Sequence, residues 1–113
     1  MKVGIDLVEV ARIERLVARW GERFLRRTFT GQELDYSLSR RRAYEHLAAR
    51  FAAKEALAKA ADLPPRWGEI EVLNSPSGKP YFSRLPAGLE LKRVQLSLAH
   101  ADKVAVAVVL IEG

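Results

Sequence analysis

The stretch Ala43–Ala61 reads AYEHLAARFAAKEALAKAA and predicts the longest helix of the chain. It contains no glycine or proline, and residues 62–65, DLPP, end it because proline cannot continue a helix. Alanine fills most of its surface, which allows neighbouring elements to pack closely on several sides. A step of four residues advances about 40° around a helix. One face therefore carries, in order, Leu47, Phe51, Glu55 and Lys59.

Glu55 and Lys59 interrupt this otherwise packable face, and the residues alone allow two interpretations. In the first, they form an ordinary ion pair one turn apart, which stabilises a helix by about 0.2–0.5 kcal/mol. In the second, they belong to a site, because a charge on a packed face is costly unless it is paired or holds a metal. His46 on the same helix reads only as a surface residue.

Residues 3–8, VGIDLV, predict a short strand with Gly4, Asp6 and Val8 on one face and the intervening apolar residues on the other. Aspartate is disfavoured in strands, and a glycine in a strand can mark the close approach of a ligand or of backbone. An alternative role for Asp6 is to cap the helix that follows.

Asp6 and Glu55, taken as a pair, fit a magnesium site. Magnesium in proteins uses one or two carboxylates together with substrate phosphates and water. Lys59, one turn from Glu55, would then neutralise a phosphate oxygen. The spacing alone leaves open whether the two carboxylates meet.

The order of the remaining elements, helices first and antiparallel hairpins later, predicts an α+β fold. Residues 9–20 have helical spacing, and residues 22–29 predict a short helix or a turn. Thr30 and Glu33 form a capping-box pattern at the start of another short helix. The two hairpins would pair residues 69–73 with 80–83, and 91–98 with 104–111.

The last run, residues 104–111, is apolar on both faces, so we expect a central strand covered on both sides. The whole chain of 113 residues fits one domain, 1–113, in which a small antiparallel sheet packs with one long and several short helices. Cysteine is absent, which excludes disulfides and thiolate metal sites.

The N-terminus, MKVGID, has an acidic residue before any long apolar run, so it does not read as a secretory signal. No stretch approaches the roughly 20 apolar residues that a membrane span needs. We therefore expect a cytoplasmic protein with no membrane partner.

The net charge of +5 is concentrated in residues 12–50, which hold ten arginines and five acidic residues. This asymmetry implies an anionic partner: a phosphate, a nucleic acid or an acidic protein. A nucleic-acid-binding module is the competing function class. Against it, the aromatic residues are scattered, no binding motif is visible, and Asp6 and Glu55 would have no role, so we expect no nucleic-acid partner. A noncatalytic scaffold is a third class, but Asp6, Glu55 and Lys59 are all present.

Three further features favour a phosphate ligand. Arg41, Arg42 and Arg50 lead into the long helix or lie on it. Residues 75–80, SPSGKP, form a tight loop with a cation near its end. The third feature is a pair where a strand enters a turn, Ser97 and His100. Each has an ordinary alternative: a solvated charge run, a hairpin turn and a turn histidine.

Four segments, taken in order, resemble the signature segments of the holo-acyl-carrier-protein synthases, the short bacterial phosphopantetheinyl transferases. They are residues 4–10 (GIDLVEV), 51–60 (FAAKEALAKA), 78–80 (GKP) and 97–100 (SLAH). The stretch 50–59 is highly specific, and the other segments gain weight from their order. The resemblance extends over residues 3–111.

The resemblance implies the 4'-phosphopantetheinyl transferase-like fold, assembled as a homotrimer with active sites between neighbouring subunits. It also implies a reaction of fatty acid biosynthesis. The 4'-phosphopantetheine group of coenzyme A moves to a serine of apo acyl carrier protein, with Mg²⁺ as cofactor, and adenosine 3',5'-bisphosphate leaves.

The resemblance further implies that Asp6 and Glu55 hold the magnesium ion and that Lys59 contacts the phosphate under attack. These three residues form the expected catalytic set. Coenzyme A would be bound by Arg41, Arg42, Arg50, Lys59, Gly78, Lys79, Pro80, Ser97 and His100. The acidic helix of the carrier protein would meet Arg12, Arg15, Leu16 and Arg19. Residues 61–68 depart from the longer, glycine-rich segment of many family members, which leaves the contacts of that loop open.

Overall fold

The computed structural model describes residues 1–113 as four helices and five strands, which confirms the predicted α+β class. In chain order they are β1 (Lys2–Glu9), α1 (Val10–Trp20), α2 (Glu22–Thr28), α3 (Gly31–Leu38), α4 (Ala43–Ala61), β2 (Glu71–Asn74), β3 (Pro80–Arg84), β4 (Val94–His100) and β5 (Val104–Ile111). Both predicted hairpins form. Strands β2 and β4 begin later than expected because short 3₁₀ turns precede them, at Trp67–Glu69 and Leu91–Arg93.

Strand β5 is the central strand of a three-stranded sheet and pairs antiparallel with both β1 and β4. Strands β2 and β3 form a separate two-stranded ribbon. One face of the sheet packs against α4. The residues of β5 on that face are all buried: Ala105, Ala107, Val109 and Ile111. The predicted central position of β5 is therefore confirmed.

The opposite face of the sheet has no covering element in this chain. Val3, Ile5 and Leu7 of β1 are 64%, 59% and 60% exposed. The register places them directly beside Leu110, Val108 and Val106 of β5. The expectation that β5 is covered on both sides is wrong for the single chain, because α4 covers one face and α1 and α3 pack against α4.

The closest approach of sheet and helix occurs at Gly4. A β-carbon there would overlap the carbonyl oxygen of Ala56 and lie 2.8 Å from the backbone nitrogen of Ala60. Only a residue without a side chain allows this contact. Asp6 points to the same side of β1 as Gly4, so the crossing brings its carboxylate to the C-terminal half of α4.

A buried ion pair connects α4 to the smaller helices. The Nζ of Lys54 donates to Oε1 of Glu33 at 2.7 Å, and both side chains are fully buried. Glu33 also accepts from the backbone of Thr30 in the predicted capping box, which is confirmed. Lys54 completes its bonding with two carbonyl oxygens, those of Thr28 and Trp67.

Helix α4 ends as expected at Asp62, which adopts a left-handed conformation with φ 56° before the two prolines. Helix α1 ends at Gly21, whose backbone N–H donates to the carbonyl of Val17 at 2.7 Å. None of the four helices combines the length and the apolar character that crossing a bilayer requires.

Candidate active site

Asp6 and Glu55 share one environment beside Lys59, where β1 crosses α4. The Nζ of Lys59 donates to Oδ1 of Asp6 at 2.9 Å and to the carbonyl oxygen of Ile5 at 3.1 Å. Burial raises the pKa of Glu55, and the charge of Asp6 raises it further, while Arg12 and Lys59 act in the opposite direction. The structure thus brings together two carboxylates that are far apart along the chain.

The structure contains neither of the two alternatives, an ion pair between Glu55 and Lys59 or a helix cap at Asp6. Lys59 pairs with Asp6 across the helix–strand contact, and not with Glu55 one turn away. Helix α1 has Glu9 at its N-cap and no side-chain hydrogen bond there, so Asp6 does not cap it. The geometry therefore favours the interpretation of Glu55 and Lys59 as parts of a site.

A cleft of about 420 Å³ opens beside this pair, lined by Glu55, Ala58, Lys59 and residues 62–65. The chain has no cluster of three or more His, Asp or Glu side chains placed to hold a metal ion. A metal at Asp6 and Glu55 would thus take its other ligands from water or from a bound phosphate. Two carboxylates with a place for phosphate are the ligand set typical of Mg²⁺.

A second cluster of predicted residues surrounds Arg50. A cavity of about 260 Å³ is lined by Arg50, Gly78, Pro80 and His100, together with Tyr36 and other residues. Arg50 is 2% exposed, and burial lowers its pKa. Its guanidinium donates to the side-chain oxygen of Asn74, but Nε has no partner. A buried cation with an unused donor at a cavity wall is suited to bind an anion.

His46 belongs to the wall of the same cavity. Its ring lies edge-on to Tyr36 and His100, with centroid distances of 5.5 and 5.4 Å. The interpretation of His46 as a helix-surface residue is wrong, because α3 and the end of β4 both bring aromatic side chains to that side of α4. The sequence contained no signal for this, since the three rings come from separate parts of the chain.

The turn between β2 and β3 is held next to Arg50 by Asn74, whose amide donates to the carbonyl of Gly78 at 2.9 Å. Gly78 has a φ of 92°, which favours glycine. Lys79 and Pro80 also line a separate cavity of about 490 Å³, with residues from β3 and β4. The turn therefore borders two cavities at once.

Three other predicted residues lie outside these cavities. Arg42 donates to Asp102 at 2.7 Å and to Glu45 at 3.3 Å. Arg41 is exposed and forms no ion pair. Ser97 lies on the outer face of the sheet, beside Val108. Within the single chain, Arg41 and Ser97 join neither cluster. Arg42 reaches the cluster around Arg50 only indirectly, through Glu45 and His100.

The residues predicted to meet a carrier protein all lie on α1: Arg12, Arg15, Leu16 and Arg19. Arg12 connects this helix to the carboxylate pair, because its guanidinium lies 5.2 Å from the ring centre of Phe51 and its charge acts on Glu55. Leu16 is half-buried, and the three arginines are exposed.

An apolar cavity of about 370 Å³ beside α1 was not predicted from the sequence. Its lining consists of Leu16, Trp20, Phe24, Phe51, Trp67, Arg23, Arg27 and Thr28. The aromatic residues come from α1, α2, α4 and the turn before β2, so no local pattern reveals that they meet. A groove with apolar walls and an arginine rim is suited to an acidic, amphipathic partner.

The two clusters lie on different sides of α4. Arg50 and Glu55 are five residues apart, which separates them by about 140° around the helix axis. One side carries Glu55 and Lys59 next to Asp6, and the other carries Arg50 next to the turn at Gly78 and to His100. One chain therefore presents both parts of the predicted site without uniting them.

Comparison with known proteins identifies the family. The sequence model of the 4'-phosphopantetheinyl transferase superfamily matches residues 2–109. A holo-[acyl-carrier-protein] synthase from Chloroherpeton thalassium is 44% identical over 118 aligned residues, which cover 99% of this chain and 98% of the relative.

Solved structures of holo-[acyl-carrier-protein] synthases share the fold. The holo-[acyl-carrier-protein] synthase from Neisseria meningitidis matches with a TM-score of 0.88 and 31% identity, over 99% of this chain and 98% of that one. The enzyme of that name from Bacillus anthracis, in complex with CoA (3',5'-ADP), matches with a TM-score of 0.82 and 33% identity, over 97% and 94%. The chain belongs to the 4'-phosphopantetheinyl transferase superfamily, and within it to the holo-[acyl-carrier-protein] synthases.

Proposed function

We propose that this protein transfers the 4'-phosphopantetheine group of coenzyme A to a serine of an apo acyl carrier protein, with Mg²⁺ as cofactor. The observation that carries the proposal is the convergence of Asp6, Glu55 and Lys59 where β1 crosses α4. Relatives with this name and a structure in complex with CoA (3',5'-ADP) support it.

Asp6 and Glu55 are the residues that would hold the magnesium ion. Two carboxylates in one half-buried environment repel each other, and a bound cation would offset that repulsion. When bound, Mg²⁺ would supply charge neutralisation on the diphosphate oxygens of coenzyme A.

Lys59 would contact the phosphate under attack. Its side chain is 56% exposed, whereas that of Asp6 is 15% exposed, so the ammonium group has room to turn from Asp6 towards a ligand in the adjacent cleft. A lysine in this position stabilises negative charge on the transferring group.

The transfer forms one P–O bond and breaks another. The serine oxygen attacks the β-phosphorus of coenzyme A, the bridging P–O bond breaks, and adenosine 3',5'-bisphosphate leaves. The serine proton passes to a base. Glu55 is the candidate, either directly or through a water molecule, because burial and Asp6 raise its pKa, although a bound cation would weaken it as a base.

A homotrimer would unite the two clusters. The outer face of the sheet exposes Val3, Ile5 and Leu7 and is suited to pack against other copies of the chain. In such an assembly, the cluster around Arg50 in one subunit would complete the site of Asp6, Glu55 and Lys59 in its neighbour.

The carrier protein would bind along α1. Arg12, Arg15 and Arg19 provide positive charge for its acidic helix, and the apolar cavity beside Leu16 provides a place for an apolar side chain. Since Arg12 acts on Glu55, this surface leads directly to the carboxylates. The nucleic-acid alternative gains no support, because the chain matches the holo-[acyl-carrier-protein] synthases over nearly its whole length. We place this reaction in the cytoplasm, as expected from the sequence.

The deciding experiment incubates the protein with coenzyme A, Mg²⁺ and apo acyl carrier protein and follows the carrier by mass spectrometry. We expect the mass of one phosphopantetheine group to be added, adenosine 3',5'-bisphosphate to accumulate in equal amount, and both products to disappear with a chelator. An unmodified carrier protein under these conditions would refute the proposed function.

A further inference from the structure

His100 is held by a carboxylate that the proposed reaction does not otherwise use. The Nδ1 atom of His100, at the end of β4, lies 3.0 Å from Oε1 of Glu45 in the first turn of α4. Glu45 is only 7% exposed. Its other oxygen accepts from Arg42 at 3.3 Å, and Arg42 also donates to Asp102 at 2.7 Å.

The geometry fixes the roles of the two ring nitrogens. A carboxylate only accepts hydrogen bonds, so Nδ1 of His100 carries the proton in this contact. The hydrogen bond from His100 lowers the pKa of Glu45, and the charge of Arg42 lowers it further, against the effect of burial. Glu45 therefore remains an ionised acceptor at neutral pH.

The remaining nitrogen, Nε2, forms no hydrogen bond within the chain. The ring lines the same cavity as Arg50 and lies edge-on to the ring of His46, with 5.4 Å between the centroids. With the ring anchored at Nδ1, Nε2 is the atom left to meet a ligand. A phosphate group in the cavity would then meet the ring at Nε2, on the side opposite Glu45.

We propose that Glu45 is a positioning residue that holds His100 through Nδ1 and thereby directs Nε2 towards a phosphate group of coenzyme A. This inference rests on the proposed function, since it names a residue that prepares the same site for its substrate. Glu45 does not touch the substrate. It acts by fixing the orientation and the proton arrangement of the imidazole before coenzyme A arrives.

The test compares Glu45→Ala, Glu45→Gln and a matched control, Asp102→Asn. The control also removes a carboxylate from this network, but it leaves the contact between Glu45 and His100 in place. Thermal unfolding by circular dichroism verifies that each variant is folded, and Glu45→Gln preserves the shape of the buried side chain if Glu45→Ala does not fold.

In transfer assays, we expect Glu45→Ala to raise KM for coenzyme A by about tenfold with kcat within about twofold of wild type, as loss of one charge-assisted hydrogen bond implies. Glu45→Gln retains an acceptor, so its KM should rise by only about threefold. Asp102→Asn should match wild type. An unchanged KM in Glu45→Ala, or an equal rise in Asp102→Asn, would overturn the proposal.

Long-range ¹H–¹⁵N spectra of the two histidines give a readout that does not depend on turnover, with assignment from a His100→Asn variant. In wild type we expect Nδ1 of His100 to show the signal of a protonated nitrogen, and Glu45→Ala to shift it towards the values of free imidazole. Identical His100 signals in the two proteins would overturn the inference. If wild type shows the expected signal but does not modify the carrier protein, the proposed function fails while the Glu45–His100 contact stands.

Discussion

The pKa of the Glu55 carboxyl group is subject to opposing effects. Burial and the charge of Asp6 raise its pKa, and Arg12 and Lys59 lower it. Lys59 donates to Asp6 at 2.9 Å and forms no ion pair with Glu55, so Glu55 has no direct cationic partner. A divalent cation would relieve this imbalance directly, which makes Glu55 the most informative residue to change.

Replacing Glu55 by glutamine keeps the shape of the side chain but removes its charge. We expect Glu55→Gln to lower kcat by about a hundredfold or more, because both a metal ligand and a candidate base are lost. The Mg²⁺ concentration for half-maximal activity should rise in the same variant. Rates measured over a magnesium titration test both effects.

The control for this change is Glu69→Gln, which removes an equivalent charge from a surface ion pair with Arg66, 3.6 Å long. Surface pairs of this kind contribute little, so activity and magnesium dependence should stay near wild type. Wild-type kinetics in Glu55→Gln would show that the carboxylate pair is not the site of the reaction.

Glu71 provides a pH dependence of stability that is separate from the active site. Burial alone would raise its pKa, but hydrogen bonds from Thr30 at 2.5 Å and Ser83 at 2.7 Å outweigh burial, and its pKa is lowered. The folded state therefore binds this proton less readily than the unfolded state does. Its stabilisation is full above the unfolded pKa of about 4.3 and is lost as pH falls through the folded pKa.

We therefore expect Glu71→Gln to reduce the free energy of unfolding at neutral pH and to flatten its decline below about pH 4.3. Urea unfolding at a series of pH values measures both features. Glu90→Gln, on an exposed residue, is the control. Parallel pH curves for wild type and Glu71→Gln would contradict the assignment.

At the scale of elements, the sequence predicts the features that depend on neighbouring residues, such as helix ends and caps. The bounds of α4 follow from alanine content and from the prolines after Asp62, and the cap of α3 follows from Thr30 and Glu33. The pairing of Asp6 with the Glu55 face of α4 was a hypothesis that rested on chemistry and family resemblance. The place where it occurs is set by Gly4, whose contact with α4 no local pattern specifies.

The unpredicted features all depend on which distant elements meet. The apolar cavity beside α1 needs four separate segments, and the ring cluster at His46 needs three. The uncovered face of β5 has the same apolar pattern as a buried face. Such a pattern is expected whether the face is covered by the same chain or by another chain. Sequence periodicity cannot distinguish these two cases.

The close contact between β1 and α4 at Gly4 predicts how a larger residue there would affect stability and activity. A methyl group at residue 4 overlaps backbone of α4, which cannot rotate away, so we expect Gly4→Ala to lower the free energy of unfolding by about 1–3 kcal/mol. Activity should fall further than stability, since Asp6 moves relative to Glu55. Urea unfolding and transfer rates at saturating Mg²⁺ measure the two effects.

Gly31→Ala is the matched control, because a β-carbon at that position, in the first turn of α3, has no atom within 4 Å. Alanine favours a helix more than glycine does, so no loss of stability is expected. If both variants lost stability equally, the close contact at Gly4 would not be the cause.

At the scale of the whole molecule, the proposed function assigns the arginines of α1 to docking of the carrier protein and the carboxylate pair to the reaction. We expect Arg19→Glu, on α1, to raise KM for the carrier protein by about tenfold at low ionic strength, and the effect to shrink as salt screens it. KM for coenzyme A should not change. Initial rates over a range of salt concentrations test this.

Arg93→Glu reverses an exposed charge in the turn before β4 and serves as the control, with no change expected in KM for the carrier protein. Equal effects of the two reversals would mean that net charge, and not the surface of α1, governs the encounter.

The separation of the two clusters around α4 leads to the sharpest test of assembly. If each site takes Glu55 from one subunit and Arg50 from its neighbour, two inactive variants can complement each other. In trimers formed at random from equal amounts of Glu55→Gln and Arg50→Met, about one quarter of the sites would hold both wild-type residues. Coexpressed variants should therefore recover about a quarter of wild-type activity.

Sites built within one subunit make the opposite prediction. Every such site in the mixture lacks one of the two side chains, so activity should not exceed that of the separate variants. Ile5→Lys provides a second check, because a charge on the exposed apolar face should dissociate the assembly and abolish recovery in the mixture. Sedimentation measures the oligomeric state of each protein. Full activity of a monomeric Ile5→Lys variant would show that one chain suffices, and that Arg50 and Glu55 act in separate places.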